Sequence, residues 1–198
     1  MISQIVRLPI GIALGAMLLL VLPTSGDAQN INQKLSNLQV EIVGVSIDMP
    51  DGQPLGRGPD GTSYSWDFEL TPEDRVATEY LLGIEHFRWA GLPMVPGTEV
   101  SLTEGLFGPS RFRLAGRVTS LDIRGNGGRF EIRVRVQWSI LDTETSNVIV
   151  DNEARGLAKG TALGVRGEQP NVLMDSVIHS LEEFLDEFGV KAIKAARG

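Results

Sequence analysis

The 198-residue chain contains no cysteine, only two histidines, and few aromatic side chains, which make up 6% of the sequence. Without a thiol the chain can form neither a disulfide nor a cysteine nucleophile. His86 and His179 lie singly on predicted helices, without the spacing that places two imidazoles on one helical face for zinc. No Gly-x-Ser-x-Gly elbow supplies a serine nucleophile. We therefore expect no metal, no cofactor and no enzymatic activity.

The chain also lacks an excess of basic residues, and its formal net charge is −7. Non-specific nucleic-acid binding requires lysines and arginines that replace phosphate counterions. The acidic balance therefore excludes nucleic acid as the expected partner.

The N-terminus has the layout of a secretory signal peptide. Arg7 precedes an apolar run from Ile10 to Leu22, and Gly26-Asp27-Ala28 offers small residues for cleavage. The run is about 13 residues long, short of the roughly 20 that span a bilayer, although an uncleaved anchor is the alternative. We expect a signal peptide over residues 1–28, a single α+β domain over 29–198, and a periplasmic location, with outer-membrane association left open. Because a lipidated N-terminus needs a cysteine, we expect no lipid anchor.

Strict alternation of apolar and polar residues from Arg129 to Ile140 predicts a long strand with one buried face. Turn residues at 126–128 and 142–147 connect it to neighbouring strands that begin near Phe112 and Val148. The acids of the last strand are expected to lie opposite Arg133 and Arg135. The Ala/Gly row on that strand's inner face leaves room for a helix.

Two amphipathic helices complete the predicted fold. The first begins at Thr71 and ends near Ala90, and the second covers Leu173 to Phe188 and ends at Gly189. A first strand runs from Leu38 to Ile47, after a polar lead-in. The Gly/Pro-rich ranges 49–69 and 91–110 predict long loops. The fold class is therefore α+β, with an antiparallel-rich sheet of about four strands and both helices on one face, in the order β-α-β-β-β-α.

The run from Val134 through Trp138, Leu141-Asp142 and Thr145 to Val150, followed by a Gly/Ala-rich strand and a helix, resembles the small α/β domains of exported envelope proteins. These are auxiliary components of ABC-type transport systems, the periplasmic domain of the curli secretion channel, and the N-terminal domain of the Tol translocation protein. The resemblance implies an accessory role in the envelope. Many such proteins carry a lipid on a cysteine, which this chain lacks.

Two other patterns are interpreted as surface loops. Residues 56–62 resemble a phosphate loop but lack its lysine. Asp48, Asp51, Asp60 and Asp67 do not have the spacing of an EF-hand calcium loop.

The candidate binding residues are arginines on one predicted sheet face and two aromatic residues at the end of the first long loop. They are Arg111, Arg113, Arg117, Arg133, Arg135, Tyr64 and Trp66, with Arg129 on the same face as the arginines. The arginines form either a docking surface for an acidic partner or a solvated, salt-bridged face. The aromatic pair forms either an interaction patch or a pin that holds the loop to the core.

The expected function is that of an exported accessory or assembly protein that supports a transport or secretion system through protein–protein contacts, at the face or edge of the sheet. The partner is another envelope protein or a second copy. The alternative is a module that binds an anionic glycan or lipid through the arginine face.

Overall fold

A computed structural model describes residues 26–50, 52–58, 61, 63–66, 102, 110–161 and 168–198. Within these ranges six strands form one mixed sheet, and helices pack on its inner face. In chain order the elements are α1 (Gly26–Leu38), β1 (Val40–Ile47), β2 (Pro54–Arg57), β3 (Ser63–Ser65), β4 (Phe112–Asn126), β5 (Arg129–Asp142), β6 (Asn147–Thr161), α2 (Glu168–Phe184), a π-helical turn (Leu185–Gly189) and α3 (Val190–Ala196). The predicted α+β class is confirmed, whereas the predicted number of about four strands is too low.

The three longest strands, β4, β5 and β6, form the predicted antiparallel meander. Gly127 and Gly128 both have positive φ, at 57° and 83°, which gives the two-residue turn between β4 and β5. Along β5 the even-numbered residues are buried and the odd-numbered ones face outward, up to Ile140. The meander follows from local signals, because alternation and turn residues together determine the register.

The two short strands β2 and β3 lie inside the range 49–69, which the sequence predicts to be a loop. They form a small hairpin, and β2 pairs in parallel with β4. Gly56 permits this pairing because its φ is +107° and a Cβ would lie 2.0 Å from the Ile123 carbonyl oxygen. Strands of four and three residues carry too little periodicity to be recognised in a Gly/Pro-rich segment.

β1 also pairs in parallel with β4, from Val40 opposite Phe112 to Ile47 opposite Val118. The register shifts between Ile42 and Gly44, and a glycine inside a strand often marks such an irregularity. In β4 the irregularity lies between Val118 and Ser120. A Cβ at Gly116 would lie 2.6 Å from the Trp138 ring, so this glycine provides room for the indole.

Two helical segments differ from the prediction. The polar lead-in is helix α1, which buries Ile31 and Leu35 and packs against β1 and α2. The C-terminal helix does not end at Gly189, because this residue is helical, with a φ of −60°, and the chain continues through the π-helical turn into α3. Tertiary packing overrides the local end signal here, since a Cβ at Gly189 would lie 3.5 Å from Ile140 Cδ1 of β5 and Ile193 is fully buried.

Helix α2 packs closely on β6, as the row of small residues predicts. A Cβ at Gly156 would lie 1.6 Å from the Ser176 carbonyl oxygen, so the backbones of the helix and the strand approach each other directly. Nearby, the buried Trp138 indole donates a hydrogen bond from Nε1 to Ser180 Oγ, at 3.1 Å. The core therefore lies between the inner face of the sheet and the helices.

Several predicted features lie outside the described residues. These are the helix from Thr71 to near Ala90, the loop over 91–110 apart from Leu102 and Ser110, and the signal peptide apart from its last three residues, which belong to α1. In the part of the chain that the structure describes, no helix combines the length and apolarity needed to span a membrane.

Candidate functional site on the outer face of the sheet

The outer face of β4, β5 and β6 carries the charged side chains that alternate with the core residues. The register of the strands determines which of these side chains are neighbours across the sheet. The observed neighbours differ from the expected ones. Arg135 lies opposite Arg155, and Arg133 lies opposite Leu157. The acids Glu153 and Asp151 lie opposite Gln137 and Ser139 instead. The prediction that acids of β6 directly oppose Arg133 and Arg135 is therefore wrong.

This register places three arginines beside one another in the middle of the outer face. Like charges directly opposite each other on neighbouring strands are destabilising. Arg135 and Arg155 form such a pair, and Arg133 lies two residues from Arg135 on the same face. The sheet thus concentrates positive charge at one place at a local cost in stability.

An open groove of about 400 Å³ runs over this cluster. Its lining residues are Ser120, Asp122, Arg124, Arg133, Val134, Arg135, Arg155, Gly156 and Leu157. Four of them are arginines and one is an acid, so the groove is electropositive in an otherwise acidic chain. Leu157 is 41% exposed and adds an apolar surface beside the charges.

The groove arginines form ion pairs that leave them accessible. Arg133 contacts Glu131 at 2.7 Å and Arg124 contacts Asp122 at 2.7 Å, while the nearest Arg135–Glu153 distance is 3.9 Å. These three arginine side chains are about half exposed, at 49%, 59% and 55% respectively. Exposed pairs of this kind contribute little to stability, so the guanidinium groups can exchange partners.

Arg117 and Arg113 lie on the same face of β4 but outside the groove. Arg117 forms an ion pair with Asp48 at 3.4 Å. Arg113 donates a hydrogen bond to the Leu102 carbonyl oxygen at 3.2 Å. The structure therefore separates these two predicted site residues from Arg133 and Arg135.

Arg111 holds the end of the sheet together instead of facing the groove. Its Nε and Nη2 donate hydrogen bonds to the two carboxylate oxygens of Asp142, at 3.2 and 3.0 Å, and Nη2 also donates to the Ala196 carbonyl oxygen at 2.8 Å. These bonds hold the pKa of the Asp142 carboxyl below its ordinary value of 3.8, against the opposing effect of burial, and the Glu144 backbone N–H lowers it further. Arg111 is thus a structural residue that links β4, the β5–β6 turn and α3.

The two aromatic candidates, Tyr64 and Trp66, are not among the residues that line the groove. Trp66 is buried, with 8% of its surface exposed, and its backbone N–H donates to the Gln53 carbonyl oxygen at 2.8 Å. Tyr64 is half-buried and packs against the core. Their positions support the interpretation of this pair as a pin that holds the segment to the core.

The edge of β6 that pairs with no strand of the described ranges, its free edge below, is partly covered by helix α2. The Arg155 backbone N–H donates to the Glu183 carboxylate, and His179 Nδ1 lies 2.7 Å from the Leu157 carbonyl oxygen. A carbonyl oxygen only accepts, so Nδ1 carries the proton in this bond. An added strand would need the Arg155 N–H and the Leu157 carbonyl for its own hydrogen bonds. The centre of this edge is therefore closed to strand addition.

The groove also contains Arg155, Arg124 and Leu157, which are not among the binding residues predicted from the sequence. Arg155 and Leu157 belong to the predicted last strand, and its alternation alone places them on the outer face. Only the register across β5 shows which of the outer residues are neighbours. Among the described residues, no group of three or more histidines or carboxylates is arranged to hold a metal ion.

Comparison with solved structures finds bacterial proteins at low similarity. A candidate lipoprotein from Caulobacter crescentus CB15 is 12% identical with a TM-score of 0.36, and the match covers 86% of this chain and 98% of that one. A protein from Xanthomonas campestris of the family DUF330 is 10% identical with a TM-score of 0.34, covering 76% and 87%. The PelC dodecamer from Paraburkholderia phytofirmans is 15% identical with a TM-score of 0.28, covering 70% and 85%.

No family model and no curated protein matches the chain. Likenesses at these TM-scores carry no argument about function. The resemblance to transport, curli and Tol proteins therefore stays a prediction. So does the expected absence of a lipid anchor.

Proposed function

We propose that this protein is a non-enzymatic, exported envelope protein that supports a transport or secretion system by binding a protein partner through the outer face of its sheet. The observation that carries the proposal is the arginine cluster in the groove, where Arg133, Arg135 and Arg155 adjoin. A register that sets like charges side by side is stabilised when an acidic surface covers it.

The coverage of the β6 edge supports the face over the edge as the working surface. Glu183 and His179 occupy the central backbone groups that strand addition would use. The exposed side chains of the groove need no such displacement. A partner that docks on the face meets half-exposed arginines and Leu157 directly.

Site-specific photo-cross-linking in the producing cells tests this proposal. A photoreactive amino acid at position 124 or 155 should capture the same partner protein, whereas one at Lys191, an exposed residue of α3, should not. Replacing Arg133 and Arg135 by Glu should abolish co-purification of the partner, because the charge of the groove is reversed.

The matched control is Arg117→Glu, which changes an arginine on the same face but outside the groove. It should leave the partner bound. A strictly monomeric protein without a partner, or cross-links only from position 191, contradicts the proposal.

A second candidate function is binding of an anionic envelope glycan or lipid, which the same exposed arginines favour. It predicts salt-sensitive binding to anionic envelope polymers, which disappears when Arg133 and Arg135 are changed to Ser. Retention of binding in that variant would exclude the groove as the polymer site.

A further inference from the structure

We infer that the groove of Arg133, Arg135, Arg155 and Leu157 binds a short acidic peptide segment in which a carboxylate adjoins an apolar side chain. The inference rests on the proposed function, since it names the chemistry that the partner presents to this surface. It is carried by the charge, the register and the exposure of the groove residues.

The arginine pair is arranged to receive a carboxylate. Arg135 and Arg155 are direct cross-strand neighbours, at the distance where two side chains on one face meet. A guanidinium presents several N–H groups in a planar fork that matches the two oxygens of a carboxylate. One carboxylate between these arginines removes their mutual repulsion and gains charge-assisted hydrogen bonds.

Arg155 is the residue on which this site depends most. Its backbone N–H is bound by Glu183, but its exposed side chain forms no ion pair with any residue of the described ranges. By contrast, Arg133 and Arg135 have Glu131 and Glu153 nearby. Among the described residues there is therefore no internal ion pair that an incoming anion would have to break at Arg155.

Leu157 gives the site its preference for an apolar neighbour of the carboxylate. It is one of two large apolar side chains among the described residues that are strongly exposed, and it lies opposite Arg133. Its position beside the arginines matches a ligand in which a charged group and an apolar group are adjacent. A peptide segment offers this combination at successive side chains.

The surroundings favour a single carboxylate over a repeating polyanion or a membrane surface. Acids border the arginines: Asp122 lies opposite Arg133 on β4, Glu131 lies two residues before it, and Glu153 two residues before Arg155. A polyanion that extends beyond the groove would meet these carboxylates and be repelled. The net charge of −7 likewise opposes approach to an anionic surface.

The test uses the isotope-labelled protein and a defined probe, the blocked hexapeptide acetyl-Ala-Leu-Asp-Glu-Leu-Ala-amide. When this peptide is titrated into the protein, the backbone amide chemical shifts of protein residues 133–135 and 155–157 should change. The matched peptide with Asn-Gln in place of Asp-Glu should bind at least about tenfold more weakly, because it lacks the charged acceptor.

Each variant is paired with a control residue outside the groove. Arg155→Gln and Leu157→Ser should each weaken binding of the acidic peptide, the first by about tenfold. Arg117→Gln and Val148→Ser should not, although Val148 is 53% exposed. Arg155→Lys keeps the charge and serves as the folded comparison if Arg155→Gln is unstable.

Equal binding of the acidic and amide peptides, or equal binding to Arg155→Gln and Arg117→Gln, overturns the inference. So does binding to phosphatidylglycerol vesicles or polyglutamate without binding to the peptide. In each of these cases a partner cross-linked at position 155 would still uphold the proposed function. Peptide binding without any cross-linked partner would instead uphold the site and contradict the function.

Discussion

Asp142 is a buried carboxylate, with 1% of its surface exposed. It can remain ionised there because Arg111 donates two hydrogen bonds to it and the Glu144 backbone N–H donates a third, at 3.1 Å. Asp142 belongs to the predicted turn after β5, and the sequence pattern gives no sign that it is buried. Its burial depends on Arg111, which the sequence places among the binding residues.

The lowered pKa of Asp142 makes folding stability depend on pH. Because the folded-state pKa lies below the ordinary value of 3.8, the unfolded chain binds more protons in the acidic range. The contribution of this group is therefore fully present above that value and is lost as the pH falls through the folded-state pKa. We expect Asp142→Asn to lower the urea midpoint at pH 7 and to reduce its fall between pH 7 and about pH 3.

Glu144→Gln is the control for this prediction, since Glu144 pairs with the same arginine but is 62% exposed. It should change the urea midpoint little at any pH. An unchanged pH profile in Asp142→Asn would contradict the assignment.

Gly156 is the residue where the inner face has least room. We expect Gly156→Ala to lower the free energy of unfolding by at least about 2 kcal/mol, because the added methyl would overlap the Ser176 carbonyl. Urea denaturation measures the change. Gly127→Asn should be tolerated, since nothing lies within 4 Å of a Cβ there and Asn accepts positive φ. Equal stability of both variants would show that helix α2 can move away.

At the scale of elements, β6 combines two roles. Its inner face receives α2 at Gly156, and its free edge is bound by Glu183 and His179 from the same helix. The two side chains are four residues apart on α2, so one helical face lies along the edge. This arrangement occupies the centre of an edge that would otherwise offer a row of unpaired backbone groups to another strand.

Removing both side chains should expose that edge. We expect His179→Ala combined with Glu183→Ala to associate in a concentration-dependent way, measured by sedimentation velocity. Glu182→Ala, which changes a neighbouring acid on α2, should sediment like the native protein. Identical sedimentation of the double variant would mean that the edge is protected by other means.

The elements differ in how far local sequence determines them. The β4–β6 meander was predictable because alternation and turn residues act over a few residues. The short β2 and β3, helix α1 and the continuation past Gly189 were not, because each depends on burial against residues distant in the chain. The sequence predicts that arginines share one face of the sheet, but it does not predict which of them line one groove.

At the scale of the whole molecule, helix α1 is bound to the C-terminal segment that follows α2. Lys34 in α1 forms an ion pair with Asp186, and Arg197 donates a hydrogen bond to the Leu38 carbonyl oxygen. The Arg111 and Arg197 guanidinium carbons lie 5.1 and 5.5 Å from the Phe112 ring centroid. The C-terminal segment thus connects α1 to the start of β4.

We expect Ile193→Ala to weaken this connection and to destabilise the protein by about 2–5 kcal/mol, since Ile193 is fully buried. Hydrogen exchange should show the largest loss of protection in α1 and α3 together. Lys194→Ala, which changes an exposed neighbour in α3, is the control. Loss of protection confined to α3 would contradict the coupling of the two ends.

The amino-acid sequence by itself determined the α+β class, the β5 strand with its two turns, and the close approach of a helix to the Ala/Gly row, because these follow from periodicity, turn chemistry and side-chain size. Only the tertiary structure decided the parallel pairing of β1 and β2 with β4, the burial of Asp142, and the neighbours of each arginine. The physical reason is that register and pairing arise from contacts between distant segments. A shift in register would change which side chains adjoin Arg133 and Arg135.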